Sequence, residues 1–364
     1  GNGKKRHLSE TERVALMKAW VLHGIGDIRL EDVEKPRPAA GEVLVKVKSV
    51  GVCGSDIPRI YKTGTYHFPT IPGHEFSGIV TDLGIGTKPE WKKKRVGVFP
   101  LIPCRTCASC KKEQYEMCRN YGYLGSRQNG GFAEYVAVPE WNLIELPEGV
   151  SFGEAAMMEP MSVAVHAMRR AQPEKGSICV ICGLGTIGML LLMFLKDAGI
   201  ENILVVGNKD FQRQTAIKFG LEADCYCDSR TKDVSEWVME HTDHRGADLF
   251  FECVGKNETV SQAVDLTAPA GKVMLVGNPA SDMIFQKAVY WKILRNQLTV
   301  LGTWNSSFTH GMEDDWNYVM ERLKSHRVHP EESITHHFPL EELSKGLILM
   351  QDKTEEFGKV MMLL

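Results

Sequence analysis

The sequence predicts an α/β protein in two parts, a small barrel-like β domain and a doubly wound parallel sheet. Three observations predict it. Residues 17–150 break into short β-forming runs punctuated by Gly and Pro. From about residue 151, strands alternate with helices, the pattern of parallel βαβ units. A Gly-x-Gly-x-x-Gly turn follows the first apolar strand of that alternation. With 364 residues there is enough chain for two such units.

In the first part, residues 18–22, 42–50, 76–80 and 132–138 read as strands, and the alternation Val43-Leu-Val-Lys-Val is that of a half-buried one. Ser151 with Glu154 is a capping box, and the helical pattern behind it runs to Arg170. Strands at 178–181, 203–206, 249–252, 272–276 and 298–301 then alternate with helices opening at Thr186, Phe211 and Glu258. A helix at 316–324 and a last strand at 359–363 should fold back on the first part. The expected division is 17–163 with 308–364 for one domain and 164–307 for the other, with 1–16 as a tail.

Composition excludes several functions. A net charge of −3 argues against a general nucleic-acid binder. No apolar run approaches the roughly 18 residues of a membrane span, and no apolar core follows the basic start Lys4-Lys-Arg-His. A cytoplasmic location is expected. In that reducing setting, clustered cysteines among the ten present suggest metal binding.

In the glycine turn, Gly183 permits the tight bend, Gly185 lets backbone approach a pyrophosphate, and Gly188 lets helix pack on strand. Thr186 and Ile187 open the helix whose free N–H groups would face the phosphates. The following strand should end in an acid if NAD is preferred, yet Gly207-Asn208-Lys209 stands there. Lys209 or Arg213 could pair with a 2′-phosphate, so NADP(H) is favoured over NAD(H). Asp210, one turn later, is the route by which NAD(H) would be retained.

Two groups of residues have metal-ligand chemistry. Cys104, Cys107, Cys110 and Cys118 can close a tetrahedral zinc site with no open position, a structural arrangement. The second group is dispersed: Cys53, His74, Glu75 and Glu159. It offers one sulfur, one nitrogen and carboxylate oxygen, the donors of an open catalytic zinc. Asp56 is positioned to accept from the His74 ring and fix its tautomer. Whether Glu75 or Glu159 ligates at rest stays open. Two zinc ions per chain are expected.

Taken in order over nearly all of 17–364, these motifs resemble the zinc-containing medium-chain dehydrogenase/reductase family. Within it they are similar to the polyol dehydrogenases, in which Glu159 fills the third ligand position. The resemblance implies a chaperonin-10-like barrel, a catalytic zinc in the cleft between domains, and hydride transfer between a polyol and a nicotinamide cofactor. It implies a homodimer or homotetramer joined through edge strands, with 272–276 and 298–301 as candidates. Where simple alcohol dehydrogenases have a His five residues after the zinc Cys, this chain has Pro58, so the proton should leave through Ser55 and water. Glu75 and Glu159 would exchange between ligation and outer contacts. The stretches 53–60, 74–78, 100–104 and 125–135 resemble dehydrogenases of hexitol phosphates such as galactitol 1-phosphate. Arg59, Lys62 and Arg127 then become candidates for the phosphate, and Trp304 for the substrate cleft. The alternatives are an unphosphorylated polyol or diol, and an NADPH-dependent ketose-phosphate reductase. Cys179, Cys182, Cys225, Cys227 and Cys253 read as small core residues.

Overall fold

Residues 14–364 are described by the computed structural model, and β structure begins almost at once. β1 (Leu16–Gly24) and β2 (Asp27–Glu34) form an antiparallel hairpin. The expected tail lies outside the described residues up to position 13, and Leu16 already belongs to β1. β3 (Glu42–Val52) leads through a single turn, α1 (Asp56–Pro58), towards β4 (Glu75–Leu83). Five short strands follow: β5 (Arg95–Val98), β6 (Leu101–Ile102), β7 (Gly122–Tyr123), β8 (Tyr135–Pro139) and β9 (Leu143–Glu145). β3 is the hub, pairing antiparallel with both β4 and β8. Val43, Val45 and Val47 are fully buried at that hub, while Lys46 reaches solvent. A side chain at Gly78 would strike the Lys46 carbonyl, so only glycine lets β4 lie this close.

The capping box forms as expected: the Ser151 hydroxyl accepts from the Glu154 N–H and the Glu154 carboxylate accepts from the Ser151 N–H. The helical stretch behind it is interrupted, however. α2 (Phe152–Ala156) stops at Met157 and α3 (Met158–Ala171) restarts there, which puts Glu159 in a first helical turn.

The alternating region is a six-stranded parallel sheet. Its elements are β10 (Cys179–Cys182), α4 (Thr186–Asp197), β11 (Ile203–Gly207), α5 (Asp210–Lys218), β12 (Tyr226–Asp228), α6 (Val234–Glu240), β13 (Ala247–Glu252), α7 (Asn257–Asp265), β14 (Thr267–Leu275), α8 (Lys287–Arg295) and β15 (Thr299–Gly302). The spatial order is β12-β11-β10-β13-β14-β15, which reverses direction between β10 and β13. Dinucleotides bind at such a switch point. β14 lies between β13 and β15, so the 272–276 segment is interior and β15 alone presents an edge on that side. This corrects the pair of candidate edge strands: a strand already paired on both sides has no free N–H or C=O row.

α9 (Asp315–Lys324) packs on α3 and buries Trp316, instead of returning to the first sheet. β16 (Ile334–Pro339), α10 (Leu343–Asp352) and β17 (Lys359–Leu363) do return. β17 pairs with Ser49–Val52 of β3, beyond the stretch that β8 covers, and the sheet runs β16-β17-β3-β4-β5-β9. Among the described residues no helix is long and apolar enough to cross a membrane. All ten cysteines are free, with Cys179, Cys182 and Cys227 buried and Cys225 and Cys253 half-buried.

Candidate active site

The four-cysteine lobe assembles from a single loop. The sulfurs of Cys104, Cys107, Cys110 and Cys118 all lie within 4.8 Å of one another. The Thr106 hydroxyl and nearby backbone N–H groups pull the Cys104 thiol down to about 5, as suits a thiolate ligand. Aromatic contacts fix the lobe to the protein: Arg105 stacks over Trp141 at 4.5 Å and Tyr115 meets the same ring edge-on at 5.1 Å.

The second group forms where β3, β4 and α3 converge. Cys53 leaves β3, and the Ser55 hydroxyl donates to its sulfur at 3.2 Å. Gly73 takes a positive φ of 96° and packs against Phe132, a turn that aims His74 and Glu75 inward at the start of β4. The donor atoms of Cys53, His74 and Glu75 lie within 4.8 Å of one another. Glu159 is buried on α3, where the Tyr123 hydroxyl donates to it at 3.4 Å; the Tyr123 ring stands 5.6 Å from that of His74. Burial pushes the Glu159 carboxyl up to about 7; the charge of His74 opposes this and that of Glu75 adds to it.

Asp56 faces the His74 ring, with Oδ1 3.6 Å from Nδ1, an ion-pair contact. That oxygen accepts from Arg59 at 2.9 Å, while Oδ2 accepts the Cys53 N–H. Arg59 is therefore engaged within the site's wall through Nη1. Lys62 is exposed, and Trp304 is 59% exposed just beyond β15, so neither joins this cluster.

Three residues that the sequence reading passed over complete the site. Lys359, only 2% exposed on β17, donates to Glu75 Oε2 at 2.6 Å. Its one sequence signal was a lysine opening an otherwise apolar strand. Tyr123 is the second, and Gln212 belongs to the cofactor cleft described below. His74 Nδ1 and Glu75 Oε1 are buried without a hydrogen-bond partner. Orphaned polar atoms on two candidate ligands are what a bound zinc ion would satisfy.

At the switch point, Gly183 has φ 98° and Gly185 caps α4, whose first residues are Thr186 and Ile187. A side chain at Gly188 would collide with the Gly183 carbonyl. Gln212 ties this turn to the next: it donates to the Leu184 carbonyl and accepts from the Asn208 N–H, both at 3.0 Å. At Gly207 a Cβ would come within 2.5 Å of the Tyr226 hydroxyl and 2.9 Å of Gln212 Oε1. The place of the expected acid is thus already filled. Asp210 pairs with Arg230 at 2.6 Å. Lys209 is half-buried beside Phe357, and Arg213 is exposed on α5.

Arg127 lies beyond Tyr123. Its guanidinium is held between the Tyr66 and Tyr121 rings at 4.2 and 4.1 Å, and its Nε is buried without a partner. With Tyr121 6.1 Å from Tyr123, a row of rings runs from His74 out to this cation.

Family models agree with this architecture: an alcohol dehydrogenase GroES-like domain matches residues 39–148, and a zinc-binding dehydrogenase domain matches 186–325. The chain is a zinc-type medium-chain dehydrogenase. The galactitol 1-phosphate 5-dehydrogenase of Escherichia coli K12 is 32% identical over 306 residues, 84% of this chain and 88% of that one. The crystal structure of the E. coli galactitol-1-phosphate dehydrogenase superposes with a TM-score of 0.88 at 31% identity, covering 96% of this chain and all of that one. Sorbitol dehydrogenase of Halalkalibacterium halodurans is 31% identical over 335 residues, 91% of this chain and 95% of that one. A zinc-binding dehydrogenase of Sinorhizobium meliloti solved with NADP gives a TM-score of 0.88 at 26% identity, over 96% of this chain and all of that one. Dehydrogenases of polyols and polyol phosphates are among the chain's relatives, as is the L-threonine 3-dehydrogenase of Pyrococcus abyssi, 32% identical over 355 residues, 96% of this chain and 95% of that one.

Proposed function

We propose that the enzyme interconverts a phosphorylated hexitol, of the galactitol 1-phosphate type, and its ketose, using NADP(H). The observation that carries the substrate reading is Arg127. A guanidinium fixed between two tyrosine rings, its Nη1 donating to the Tyr121 carbonyl at 3.0 Å, stands at the far end of the aromatic row from His74. A polyol with its reacting hydroxyl near Cys53 and His74 could place a terminal phosphate against it. Similarity to the E. coli galactitol 1-phosphate enzyme supports the same reading. Galactitol 1-phosphate should be oxidised at least tenfold more efficiently than galactitol. Equal kcat/KM on the two would overturn the phosphate reading and favour an unphosphorylated polyol. Running the screen with NADP and NAD in parallel tests the cofactor, for which the filled position beside Gly207 is the support.

Cys53 and His74, with Glu75 or Glu159, would hold one zinc and the four-cysteine lobe a second. The catalytic zinc supplies Lewis-acid polarisation of the substrate hydroxyl. Ser55, hydrogen-bonded to Cys53, takes the released proton and passes it to water. The glycine turn and the first turn of α4 hold the pyrophosphate. Residues 17–163 with 308–364 are assigned to the catalytic domain and 164–307 to the nucleotide domain. The apolar face formed by Tyr290, Trp291, Leu294 and Val300, beside the open edge of β15, suits a homodimer whose edge strands pair across a twofold axis. The free cysteines suit a reducing, cytoplasmic setting.

A further inference from the structure

The ribose-facing turn at Gly207 is closed on its outer side by the end of β12. Gly207 is the partner of Asp228 across the two strands, and its carbonyl accepts the Ser229 N–H at 2.9 Å. Arg230 follows directly. Its Nε and Nη2 donate to the Asp228 carboxylate at 2.9 and 2.7 Å. The same Nη2 reaches across to Asp210 Oδ1, at the start of α5, at 2.6 Å. One guanidinium therefore spans the turn and holds two carboxylates, one from each flank. Both flank the place where the ribose of a dinucleotide meets the end of the second strand. The acid missing at Gly207 is thus not the only acid near the ribose. Asp210 and Asp228 would serve NAD(H) if they were free.

We propose that Arg230 is a positioning residue that sets cofactor choice by occupying Asp210 and Asp228. Held by charge-assisted bonds to a guanidinium, neither carboxylate is available to accept from a ribose 2′-OH. Their charge is also cancelled, so a 2′-phosphate entering the turn meets no unpaired anion. Lys209, on the other side of Gly207, is then the cation left to meet that phosphate. Without Arg230, two free carboxylates would face the ribose, and selection would move towards NAD(H). The ion pairs are partly exposed and add little to stability, so the fold should tolerate their loss. Arg230 can act this way only if the enzyme uses NADP(H), as proposed above.

The test is direct binding of two fragments, 2′,5′-ADP and 5′-AMP, to the full-length enzyme by calorimetry with no substrate present. The wild type should bind 2′,5′-ADP roughly tenfold or more tightly than 5′-AMP, the worth of a charge-assisted contact. In R230M that preference should fall roughly fivefold or more, through 2′,5′-ADP alone, with little change in the Kd of 5′-AMP. R230M/D210N/D228N keeps Lys209 and has no carboxylate left to mask, so it should recover most of the lost preference. The ratio of kcat/KM for NADPH and NADH should follow the same order across the three proteins. The role of Arg230 is overturned if R230M keeps the wild-type preference, if both fragments weaken equally, or if the triple variant recovers nothing. Equal weakening would make Arg230 a support for the β12 turn, and failed recovery would make it a direct phosphate ligand. A wild type with no preference for 2′,5′-ADP would instead overturn the NADP(H) reading itself.

Discussion

The four-cysteine lobe takes its ligands from one loop between Cys104 and Cys118, whereas the Cys53–His74 centre draws on β3, β4, α3 and β17. Locality makes the first site self-sufficient: four thiols face one point, and the surrounding contacts are aromatic clamps on Trp141. The second depends on the tertiary fold for every group beyond Cys53 and Ser55. It consequently carries features the lobe lacks: orphaned polar atoms on the candidate ligands themselves, His74 and Glu75, and a buried lysine, whereas the orphaned oxygen of the 104–118 loop is on Glu116, which is not a candidate ligand.

The sharpest way to break this comparison is to remove one ligand from each centre. His74→Ala should lower kcat/KM by roughly 10³-fold or more, because several kcal/mol of polarisation is lost at about 1.4 kcal/mol per decade. Bound zinc should fall by one ion while the thermal midpoint moves little. Glu159→Ala should also cut turnover strongly with the lobe's zinc retained; unchanged turnover would remove Glu159 from the site. Cys104→Ser should do the converse, lowering the thermal midpoint by several degrees and opening 104–118 to proteolysis, with a smaller loss of turnover per folded molecule. If Cys104→Ser abolished turnover without loss of stability, the division into structural and catalytic centres would fail.

The same contrast decides what could be read in the sequence. Four cysteines within one loop, three glycines within one turn and a capping box at Ser151 and Glu154 are local patterns, and each recurs in the structure. The alternation after residue 151 gave away the parallel sheet because each strand and helix carries its own apolar run. What stayed hidden depends on distant pairing. Lys359 meets Glu75 only because β17 lies beside β3. The break at Met157, which sets Glu159 in a first turn, has a local signal that the reading to Arg170 ran through: Pro160 has no N–H to bond back to Ala156 and belongs in a first helical turn. Strand order is also non-local, so β14 and β15 were equal candidates for the edge until β14 was seen paired on both sides.

The cofactor cleft lies between these extremes, with a local glycine turn joined through Gln212 to the ribose-facing turn. Its smallest testable element is Lys209. Burial lowers the Lys209 ammonium from its usual range, and Phe357 lies under it at 5.0 Å, so the cation is partly desolvated and held near Gly207. A charge-assisted contact to a 2′-phosphate is worth about 1.5–3 kcal/mol. Lys209→Ala should therefore raise the KM for NADPH by roughly tenfold or more, with little change for NADH, which has no phosphate there. Equal losses for both cofactors would show that Lys209 supports the turn and not the phosphate. The converse substitution, Gly207→Asp, should not create an NAD enzyme by itself. The Tyr226 hydroxyl and Gln212 occupy the space its side chain needs, and displacing Gln212 would loosen the turn at Leu184 as well. Pairing Gly207→Asp with Tyr226→Ala should recover NAD use better than Gly207→Asp alone. If the single variant performs equally well, Tyr226 does not guard that position.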